Sequence, residues 1–479
     1  MNQEQPVDKL SRLFKAWSGK EPLEIIRLAP SGSERAYYRL RLNEITAVGT
    51  WHPVAEENKA FTGFSRHFRS HALPVPEIYQ EDPGAHVYLQ EDLGDITLLS
   101  LVEKNKVRDD LPDDLKALYR RSLEELVRFQ VVAGKDLDYS ICYPSPLFDH
   151  RAILWDLNYF KYCFLKPHVA FHEARLEDDF STLAQYLMQA EPEWFMYRDF
   201  QARNILIRDE RPWFIDFQGG RKGPLQYDVA SLLFQVKANL PAAIREELLD
   251  HYLDALSAHI QVDKKAFREI YYGFVLIRLL QVLGAYGYRG LIQKKPHFLA
   301  SIPPALKSLS WWLENVRLPV ELPELMHSLE KIANLELFPL KKPGNETQGL
   351  TIQISSFSYR NGLPADLTGH GGGFVFDCRA LPNPGREEQY RAFNGRDKVI
   401  IDYLENQPET GLFLQEARNL ISRSVENYLE RGFGHLSVSF GCTGGQHRSV
   451  YCAEKMAAHL QERYPKVKVD LQHHVLNNI

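Results

Sequence analysis

The chain has 479 residues, of which 44% are hydrophobic and 25% are charged, and its formal net charge at pH 7 is -5. This length predicts more than one domain, and the composition is that of an ordinary soluble globular protein. The slightly negative charge excludes a general electrostatic attraction to nucleic acid or to an anionic membrane.

No targeting segment, membrane span or disulfide framework is predicted. The N-terminus lacks the basic and apolar regions of a signal peptide. The apolar run from Phe274 to Tyr288 is interrupted by Arg278, so it is expected to fall short of a membrane span. The five cysteines show no C-x-x-C spacing and cannot all pair. This favours a reducing cytoplasm and argues against structural zinc.

The first elements predict a short helix followed by a small sheet. Residues 1–20 form an amphipathic pattern whose apolar face contains Leu10, Leu13, Phe14 and Trp17. The segment from Ile25 to Leu40 predicts a strand, a polar turn and a second strand. Such a turn can fold over the phosphates of a nucleotide and offer backbone N–H groups, which makes Gly32 and Ser33 candidate phosphate-binding residues. An ordinary hairpin turn explains them equally well.

A helix and an interlobe hinge are predicted next. We assign Glu57, in the helical pattern from Ala55 to Arg69, to the site and Glu56 to a solvent-facing position, although the pattern alone does not separate them. The segment HVYLQEDLGD predicts a strand followed by an acidic bend, which suits a hinge between two lobes. Its backbone groups would contact adenine at Gln90, Glu91, Asp92 and Leu93.

The segment from Phe195 to Gln218 predicts a short strand, a polar turn and a two-stranded hairpin. Four residues separate Asp199 from Asn204, and Asp216 ends the hairpin. Phosphoryl transfer from a nucleotide needs this set: Asp199 would accept the proton of the attacking hydroxyl, while Asn204 and Asp216 would hold Mg²⁺. Asp and Asn are also common in turns, but a hydrophobic strand that ends in Asp at this distance favours the catalytic interpretation.

The region that follows is predicted to be mainly α-helical up to about Asn334. Asp228 begins an apolar helix and is assigned a structural role at that helix's N-terminus. Residues 338–350 contain prolines, glycines and polar residues without periodicity, so they predict an interdomain linker.

Several segments resemble the aminoglycoside phosphotransferase and choline kinase superfamily over about residues 21–336. They are GSERAYYRL, LPVPEIY, LQEDLGD, YRDFQARNILI, FIDFQGG and GPLQYDVASLL. The further segments RLLQVLGAYGYRG and KKPHFLASIP are most similar to bacterial kinases that phosphorylate the anomeric hydroxyl of N-acetylmuramate and N-acetylglucosamine.

This resemblance implies an α+β bilobal protein-kinase-like domain over residues 21–337, with an N-lobe at 21–95 and a C-lobe at 96–337. It also implies ATP (or GTP) and Mg²⁺ as cofactors and a sugar as substrate. Tyr197 and Arg198 replace the histidine and glycine usual in the family. The strand that ends at Trp51 lacks the usual phosphate-binding lysine, and Arg35 or Arg39 is the candidate substitute.

Residues 351–479 predict a second, smaller α/β domain. TIQISSFSY and VKVDLQ have the pattern of strands, and GGGFVFDCR is apolar enough for a central strand. Helical patterns run from Glu387 to Glu405 and from Leu412 to Arg431. The segment from His435 to Tyr464 then predicts a strand, a glycine-rich loop and a helix. This alternation indicates a mostly parallel sheet with ligands at the carboxyl ends of its strands.

The glycine-rich loop is a candidate anion site. Gly444 and Gly445 allow backbone N–H groups to turn inward, and the following helix directs its positive end to the same place. The candidate residues are Gly441, Cys442, Thr443, Gly444, Gly445, His447, Arg448 and Ser449. Cys442 and Arg448 also have the C-x5-R spacing of cysteine phosphatases, but the usual preceding histidine and a general-acid loop are missing.

The segments from Ser356 to Gly385 and from Gly441 to Glu454 closely resemble the C-terminal domain of the RNase adapter protein RapZ family. The resemblance implies an amino-sugar phosphate or nucleotide-like ligand, with Asp377, Arg379 and Asn383 beside the loop, and in some members a small RNA. The Walker A loop usual in that family is absent from this sequence. RNA binding is not favoured because the tail VDLQHHVLNNI is not basic.

The sequence therefore predicts a cytoplasmic ATP- and Mg²⁺-dependent small-molecule kinase, with an amino-sugar substrate, fused to a module that binds a phosphorylated metabolite. The alternative is a non-catalytic nucleotide-binding regulatory protein or RNA-binding adapter. The missing strand lysine favours that alternative, and the set Asp199, Asn204 and Asp216 opposes it. A nucleotide or choline-type acceptor also remains open.

Overall fold

The structure, a computed structural model, describes residues 5–28, 34–105, 110–334, 349–364 and 373–476. The predicted phosphate-loop residues Gly32 and Ser33 lie outside this range, as does almost all of the predicted linker. The chain divides into two compact units, Met1–Gln293 with Ser301–Leu337, and Lys294–Ala300 with Phe338–Ile479.

The N-terminal lobe of the first unit is an antiparallel sheet covered by a helix. Its strands have the order β1-β2-β3-β5-β4. The apolar face of the first helix, with Leu10 and Phe14, packs against Leu40 and Leu89 of the sheet, as predicted. The elements are α1 (Pro6–Ser18), β1 (Glu24–Arg27), β2 (Ala36–Leu42), β3 (Ile45–Trp51), α2 (Ala55–Ser70), β4 (Ile78–Asp82) and β5 (Val87–Gln90).

The second lobe is mainly α-helical, which confirms the bilobal α+β kinase-like fold. Two short antiparallel strand pairs, β6 with β9 and β7 with β8, interrupt its helices. The elements are α3 (Leu98–Lys104), α4 (Asp113–Val127), α5 (His150–Phe160), α6 (Glu173–Leu187), β6 (Trp194–Met196), β7 (Ile205–Arg208), β8 (Arg211–Phe214), β9 (Arg221–Gly223), α7 (Leu225–Leu233), α8 (Ala242–Ser257), α9 (Lys264–Tyr286), α11 (Ile302–Asn315) and α12 (Pro323–Ala333). The short helix α10 (Pro296–Leu299) falls between α9 and α11 in the chain but belongs to the second unit.

Two backbone hydrogen bonds attach the hairpin β7–β8 to the chain on either side of the predicted hinge. The N–H of Phe214 donates to the carbonyl of Pro74 at 2.8 Å, and the N–H of Ile207 donates to the carbonyl of Ile96 at 2.7 Å. Pro74 precedes β4, and Ile96 follows the predicted hinge. The hairpin therefore lies between the two lobes and contacts both of them.

The prediction that the apolar run around Arg278 is too short for a membrane span is wrong on length. Residues Lys264–Ile292 are long and apolar enough to cross a membrane by length and composition alone. Within the fold, however, 67% of the most apolar window is buried. Such burial is typical of a core helix, and α9 packs against α5, α7 and α11.

The second unit contains a four-stranded sheet in the order β11-β12-β10-β13. All three strand pairs are parallel, as the strand–loop–helix alternation predicted. Ile352, Val438 and Met456 are among the residues of its apolar core. The elements are β10 (Thr351–Ser358), β11 (Gly373–Asp377), α13 (Lys398–Glu405), α14 (Pro408–Glu430), β12 (His435–Cys442), α15 (Arg448–Arg463) and β13 (Lys468–His473).

Two details of this unit differ from the predictions. The strand β11 lies at an edge of the sheet, since among the described residues it pairs with β12 alone, and Val375 within it is 48% exposed. The helix predicted from Glu387 begins only at Lys398. Local turn bonds replace its first part: the N–H of Asn394 donates to the carboxylate of Asp397 at 2.6 Å, and the N–H of Gly395 donates to the carbonyl of Gln446.

Candidate functional site

Asn204 and Asp216 lie at the open end of the hairpin β7–β8. The two strands pair antiparallel with Ile205 opposite Phe214. The residue before β7 and the residues after β8 are therefore brought to the same end of the hairpin. The N–H of Ile215 donates to the carbonyl of Asn204 at 3.1 Å and continues this pairing by one step.

The side chains at the open end of the hairpin lie close to the loop that contains Asp199. The Asn204 Nδ2 donates to Asp216 Oδ2 at 3.0 Å and to the carbonyl oxygen of Asp199 at 2.9 Å. Asp216 adopts a left-handed backbone conformation with φ of 70°. A non-glycine residue rarely holds this conformation without support from its surroundings, and such positions cluster at functional sites. The three residues predicted to act together are thus neighbours.

Asp216 is the electrostatic centre of this group. Burial and then the negative charge of Asp199 raise the pKa of Asp216, while Arg203, Gln218 and Arg35 act in the opposite direction. Gln218 does so through a hydrogen bond from its Nε2 to Asp216 Oδ1 at 2.8 Å. Two carboxylates held close together in a half-buried place are costly unless a cation lies between them. This set of oxygens suits a divalent cation.

The carboxylate of Asp228 is hydrogen-bonded to the backbone of the Asp199 loop. Asp228 is fully buried in α7, and its carboxylate accepts the N–H of Tyr197 at 2.7 Å and the N–H of Arg198 at 2.9 Å. The structural assignment of Asp228 is therefore right, but the partners differ from those predicted, because the carboxylate binds a distant loop and not its own helix end. Burial raises the pKa of Asp228 to about 7 against the effect of these N–H donors.

A second support of this loop was not predicted. Arg198, with φ of 79°, donates two hydrogen bonds to the carboxylate of Asp156 on α5, at 2.8 and 2.6 Å. The sequence shows Arg198 only as the replacement of a usual glycine, and nothing in it identifies Asp156 as the partner. This ion pair and the hydrogen bonds to Asp228 together hold the Asp199 loop against the helical lobe.

Glu57 lies against Arg35, one of the two arginines considered for the missing lysine. Arg35 Nη2 is 3.0 Å from Glu57 Oε2, and Arg35 Nη1 donates to the Tyr88 hydroxyl at 2.9 Å. The guanidinium is close enough to Asp216 for the two charges to affect each other's pKa. Arg39, the other candidate, points elsewhere. Arg35 therefore places a positive charge near Asp216, in addition to that of Arg203.

The predicted hinge uses most of its polar groups within the protein. Arg39 forms a two-pronged ion pair with Asp92, at 2.7 and 3.0 Å. The N–H of Glu91 donates to the carbonyl of Glu77 at 2.8 Å, so this donor is occupied. Gln90 is the last residue of β5, and Leu93 is buried. The adenine-binding role of Gln90, Glu91, Asp92 and Leu93 stays a prediction.

In the second unit, the glycine-rich loop folds around the thiol of Cys442. The Cys442 Sγ accepts the N–H of Gly445 at 3.2 Å and is 3.2 Å from the hydroxyl oxygen of Ser449. The neighbouring carbonyl of Thr443 accepts the hydroxyl of Ser358 at 2.7 Å. The N–H of Gly445 thus turns inward as predicted, but its hydrogen-bond acceptor is the Cys442 sulfur atom.

The arginine of this loop is committed to the backbone. Arg448 is buried, and its Nη1 donates to the carbonyls of Arg379 and Leu381, each at 2.9 Å. A cysteine phosphatase would need this guanidinium to hold phosphate oxygens, so the geometry disfavours that interpretation of the C-x5-R spacing. The same bonds bring Arg379 beside the loop, as the family resemblance implied.

The other predicted residues of this site lie around the loop. Arg379 also forms an ion pair with Asp377 at 2.6 Å, which lowers the pKa of Asp377. The Nε2 atom of His447 lies 3.1 Å from the carbonyl oxygen of Tyr390, which can only accept, so this Nε2 donates the hydrogen bond. Asn383 accepts the N–H of Gly385 at 3.3 Å. The structure therefore gathers these side chains at the carboxyl ends of β11 and β12.

Replacing Gly445 with alanine is expected to destabilise the second unit by roughly 1–2 kcal/mol or more, because an L side chain in the left-handed region is disfavoured. Gly445 has φ of 70°, and an added Cβ would come within 2.5 Å of Val475 Cγ2. Gly444 is the matched control, since a Cβ there would meet nothing within 4 Å. Thermal unfolding of both variants measures the difference, and equal melting temperatures would contradict the expectation.

Comparison with known proteins agrees with the division into two units. Residues 25–265 match the model of the phosphotransferase enzyme family, and residues 350–477 match that of the RapZ C-terminal domain. A nucleotide-binding protein of Halorhodospira halophila is 41% identical over 122 residues, which are 26% of this chain and 41% of that protein. One of Lactobacillus helveticus is 38% identical over 126 residues, 26% of this chain and 40% of that protein.

The chain therefore spans about two fifths of the length of these curated relatives. Among solved structures, aminoglycoside phosphotransferase APH(4)-Ia is 16% identical with a TM-score of 0.43, over 65% of this chain and 99% of that chain. A choline/ethanolamine kinase family protein from Mesorhizobium loti is 15% identical with a TM-score of 0.44, over 69% and 99%. Since the first family match covers about half of the chain and includes Asp199, Asn204 and Asp216, the chain belongs to the phosphotransferase enzyme family.

Proposed function

We propose that the first unit transfers the terminal phosphoryl group of ATP, with Mg²⁺, to a hydroxyl group of an N-acetylated amino sugar. The convergence of Asp199, Asn204 and Asp216 beside the Arg35–Glu57 ion pair carries this proposal. Asp199 accepts the proton of the attacking hydroxyl, because its carboxylate is only half-buried and reaches the same space as Asp216.

The donor atoms around Asp216 fit Mg²⁺. Both hydrogen bonds of the Asn204 amide use its nitrogen, which leaves the amide oxygen for the metal. Each oxygen of Asp216 accepts one hydrogen bond and retains a further lone pair. Hard oxygen ligands of this kind suit Mg²⁺, which would neutralise the charge that develops on the transferred phosphoryl group.

The amino-sugar assignment depends on the sequence around α9. Arg278 of this helix donates to the Tyr227 hydroxyl at 3.1 Å and to Gln281 Oε1 at 2.9 Å. Burial lowers the pKa of Arg278, but the nearby Tyr227 and Asp199 raise it by more. The segment that resembles the amino-sugar kinases therefore borders the proposed base, which is where an acceptor hydroxyl must lie.

Replacing Arg35 with glutamine is expected to raise the KM for ATP by roughly 10- to 100-fold, since a hydrogen bond to a charged group contributes about 1.5–3 kcal/mol. The Arg35 guanidinium is, besides that of Arg203, a cation that lowers the pKa of Asp216, and ATP phosphates would use it as other kinases use a lysine. Arg41→Gln is the matched control, because Arg41 pairs with exposed Glu24 at 3.2 Å. Equal KM values for the two variants would remove Arg35 from the nucleotide site.

Transfer of the terminal phosphate of labelled ATP or GTP tests the function directly. The full-length protein would be incubated with Mg²⁺ and separately with N-acetylmuramate, N-acetylglucosamine, choline and an aminoglycoside. We expect label on an amino sugar with ATP, and none with Asp199→Asn. Labelling of choline alone would replace the amino-sugar assignment, whereas nucleotide binding with no transfer to any acceptor would favour the regulatory alternative.

For the second unit we propose binding of a phosphorylated metabolite at the glycine-rich loop. The exposed Arg379 side chain and the N-terminus of α15 supply the positive electrostatic potential. Calorimetric titration with an amino-sugar phosphate tests it, with Arg379→Gln expected to weaken binding. A parallel gel-retardation assay with a small RNA tests the adapter alternative, and complexes that vanish at moderate salt would indicate non-specific attraction only.

A further inference from the structure

A cluster of two imidazoles and one carboxylate lies at the end of α2 opposite Glu57. His67 and His71 are four residues apart in the last turn and its cap, so they share one face of the helix. The Nε2 atom of His71 is 3.2 Å and that of His67 is 3.6 Å from Asp136 Oδ1. The three ligand atoms all lie within 4.8 Å of one another.

The hydrogen bonds of His71 leave a lone pair facing the carboxylate. Its Nδ1 is 3.0 Å from the carbonyl oxygen of His67, which can only accept, so Nδ1 must carry a proton. In the neutral ring the Nε2 atom then has no proton, yet it faces an oxygen of Asp136. A lone pair against a carboxylate is repulsive unless a cation lies between them or the ring becomes charged.

His71 also has the outer partner that metal-binding histidines usually have. In such sites the ring nitrogen that does not bind the metal donates to a carbonyl or a carboxylate, which fixes the ring's orientation. Here the carbonyl of His67 accepts from Nδ1, and Ser70 Oγ donates to the same carbonyl at 2.7 Å. The Nε2 lone pair is therefore directed toward Asp136 by the helix itself.

Ala133 supplies a fourth potential ligand. Its carbonyl oxygen is 2.7 Å from His67 Nε2, which places it on the same side of the cluster as Asp136. Metal binding would move the proton of His67 from Nε2 to Nδ1 or to solvent, and the carbonyl oxygen would then face the ion. Two histidine nitrogens, one carboxylate oxygen and this carbonyl oxygen would give the ion four ligands, the number that Zn²⁺ usually takes.

We propose that His67, His71 and Asp136 bind a divalent transition-metal ion of the Zn²⁺ class. Two histidines one helical turn apart bind such ions in other helices because both Nε2 atoms project to one side. The cysteine pattern was an argument against structural zinc, and the proposed site departs from that prediction because its ligands include none of the cysteines. Asp136 is largely exposed, so an ion can enter from solvent.

The ion would attach α2 to the segment after α4. Glu57 stands in the first turn of α2, ten residues or about 15 Å from His67 along the helix axis. A metal that fixes the far end of this helix would therefore restrict the position of the Glu57–Arg35 ion pair. The site is separate from the Mg²⁺ ligands Asn204 and Asp216, so the two can be tested independently.

Titration of the tag-free, chelator-treated full-length protein tests the proposal. Zn²⁺ binding would be measured by calorimetry, and Co²⁺ binding by its visible absorption, both with excess Mg²⁺ to fill the other site. We expect one equivalent to bind the parent protein. In Asp136→Asn and in the double variant His67→Gln/His71→Gln, the affinity for Zn²⁺ should fall strongly. The decrease should exceed the roughly 10- to 100-fold that is typical when a residue that only hydrogen-bonds a metal ligand is lost.

Glu124→Gln is the matched control, because Glu124 forms a single surface pair with His251 at 2.9 Å. This variant should bind the metal as the parent protein does, and circular dichroism should show that all variants are folded. The proposal is overturned if the parent protein binds no equivalent. It is also overturned if Asp136→Asn and the double histidine variant retain the parent's affinity.

Discussion

Replacement of Asp199 by asparagine is expected to lower kcat by about 10²- to 10⁴-fold, the usual contribution of a positioned general base. The asparagine cannot accept the proton of the attacking hydroxyl, although its size is almost unchanged. The carbonyl of residue 199 would still accept from Asn204 Nδ2. The metal-binding pair therefore keeps its geometry, and we expect the Kd for ATP to change little.

The measurement is a steady-state assay of phosphoryl transfer together with a binding titration of ATP. Asp178→Asn is the control, because Asp178 is an exposed aspartate on α6 of the same lobe. A kcat near the parent value for Asp199→Asn would exclude Asp199 as the base. Loss of ATP binding without a change in kcat would instead assign it to the nucleotide site.

Replacement of Asp228 by alanine is expected to lower the free energy of unfolding by roughly 2–6 kcal/mol, because two buried donors lose their acceptor at about 1–3 kcal/mol each. Those donors are the N–H groups of Tyr197 and Arg198. Since they fix the loop of Asp199, kcat should fall as well. Chemical denaturation and kinetics under strongly native conditions measure the two effects separately.

Asp179→Ala is the matched control for this variant. Asp179 is also a buried aspartate, and it accepts the backbone N–H of Leu325 at 2.7 Å. Its removal should destabilise the protein by about 1–3 kcal/mol. The kcat of the folded fraction should not change, because Asp179 does not contact the catalytic loop. A similar fall of kcat in both variants would show that instability alone explains it.

The same carboxylate predicts a pH dependence. Burial raises the pKa of Asp228 to about 7 in the folded protein, above the value of about 3.9 for an unfolded aspartate. The folded state therefore binds the proton more tightly. Its contribution to stability is fully present below about pH 4 and is lost as the pH rises to about 7. The difference in unfolding free energy between the parent and Asp228→Ala should change over this interval and stay constant above it.

The sequence predicted that Asp199, Asn204 and Asp216 come together because they are close in the chain. They lie within 18 residues and are joined by one hairpin, whose strands follow from β-branched and aromatic residues. Antiparallel pairing of adjacent strands then leaves few alternatives for where their ends meet. The same reasoning predicted the parallel order of strand, loop and helix around Cys442.

The supports of these groups were not predictable because they join distant parts of the chain. Glu57 lies 22 positions after Arg35 in the chain, and Arg198 lies 42 positions after Asp156. Only packing of whole elements decides such pairs. The prediction that β11 is a central strand failed for a related reason. Its apolar residues Phe374 and Phe376 are covered by the core on one face. Apolar content alone does not reveal how many strands lie beside such a strand.

The two attachments of the hairpin β7–β8 constrain how the lobes of the first unit can open. These bonds join the hairpin to the chain on either side of the hinge, and the far end of α2 adds a third contact between the lobes, because His67 Nε2 lies 2.7 Å from the carbonyl oxygen of Ala133. Lobes that are joined at three separated places cannot rotate freely about any single line. We therefore expect nucleotide exchange to depend mainly on motion of the outer strands β1 and β2, which make none of these three contacts.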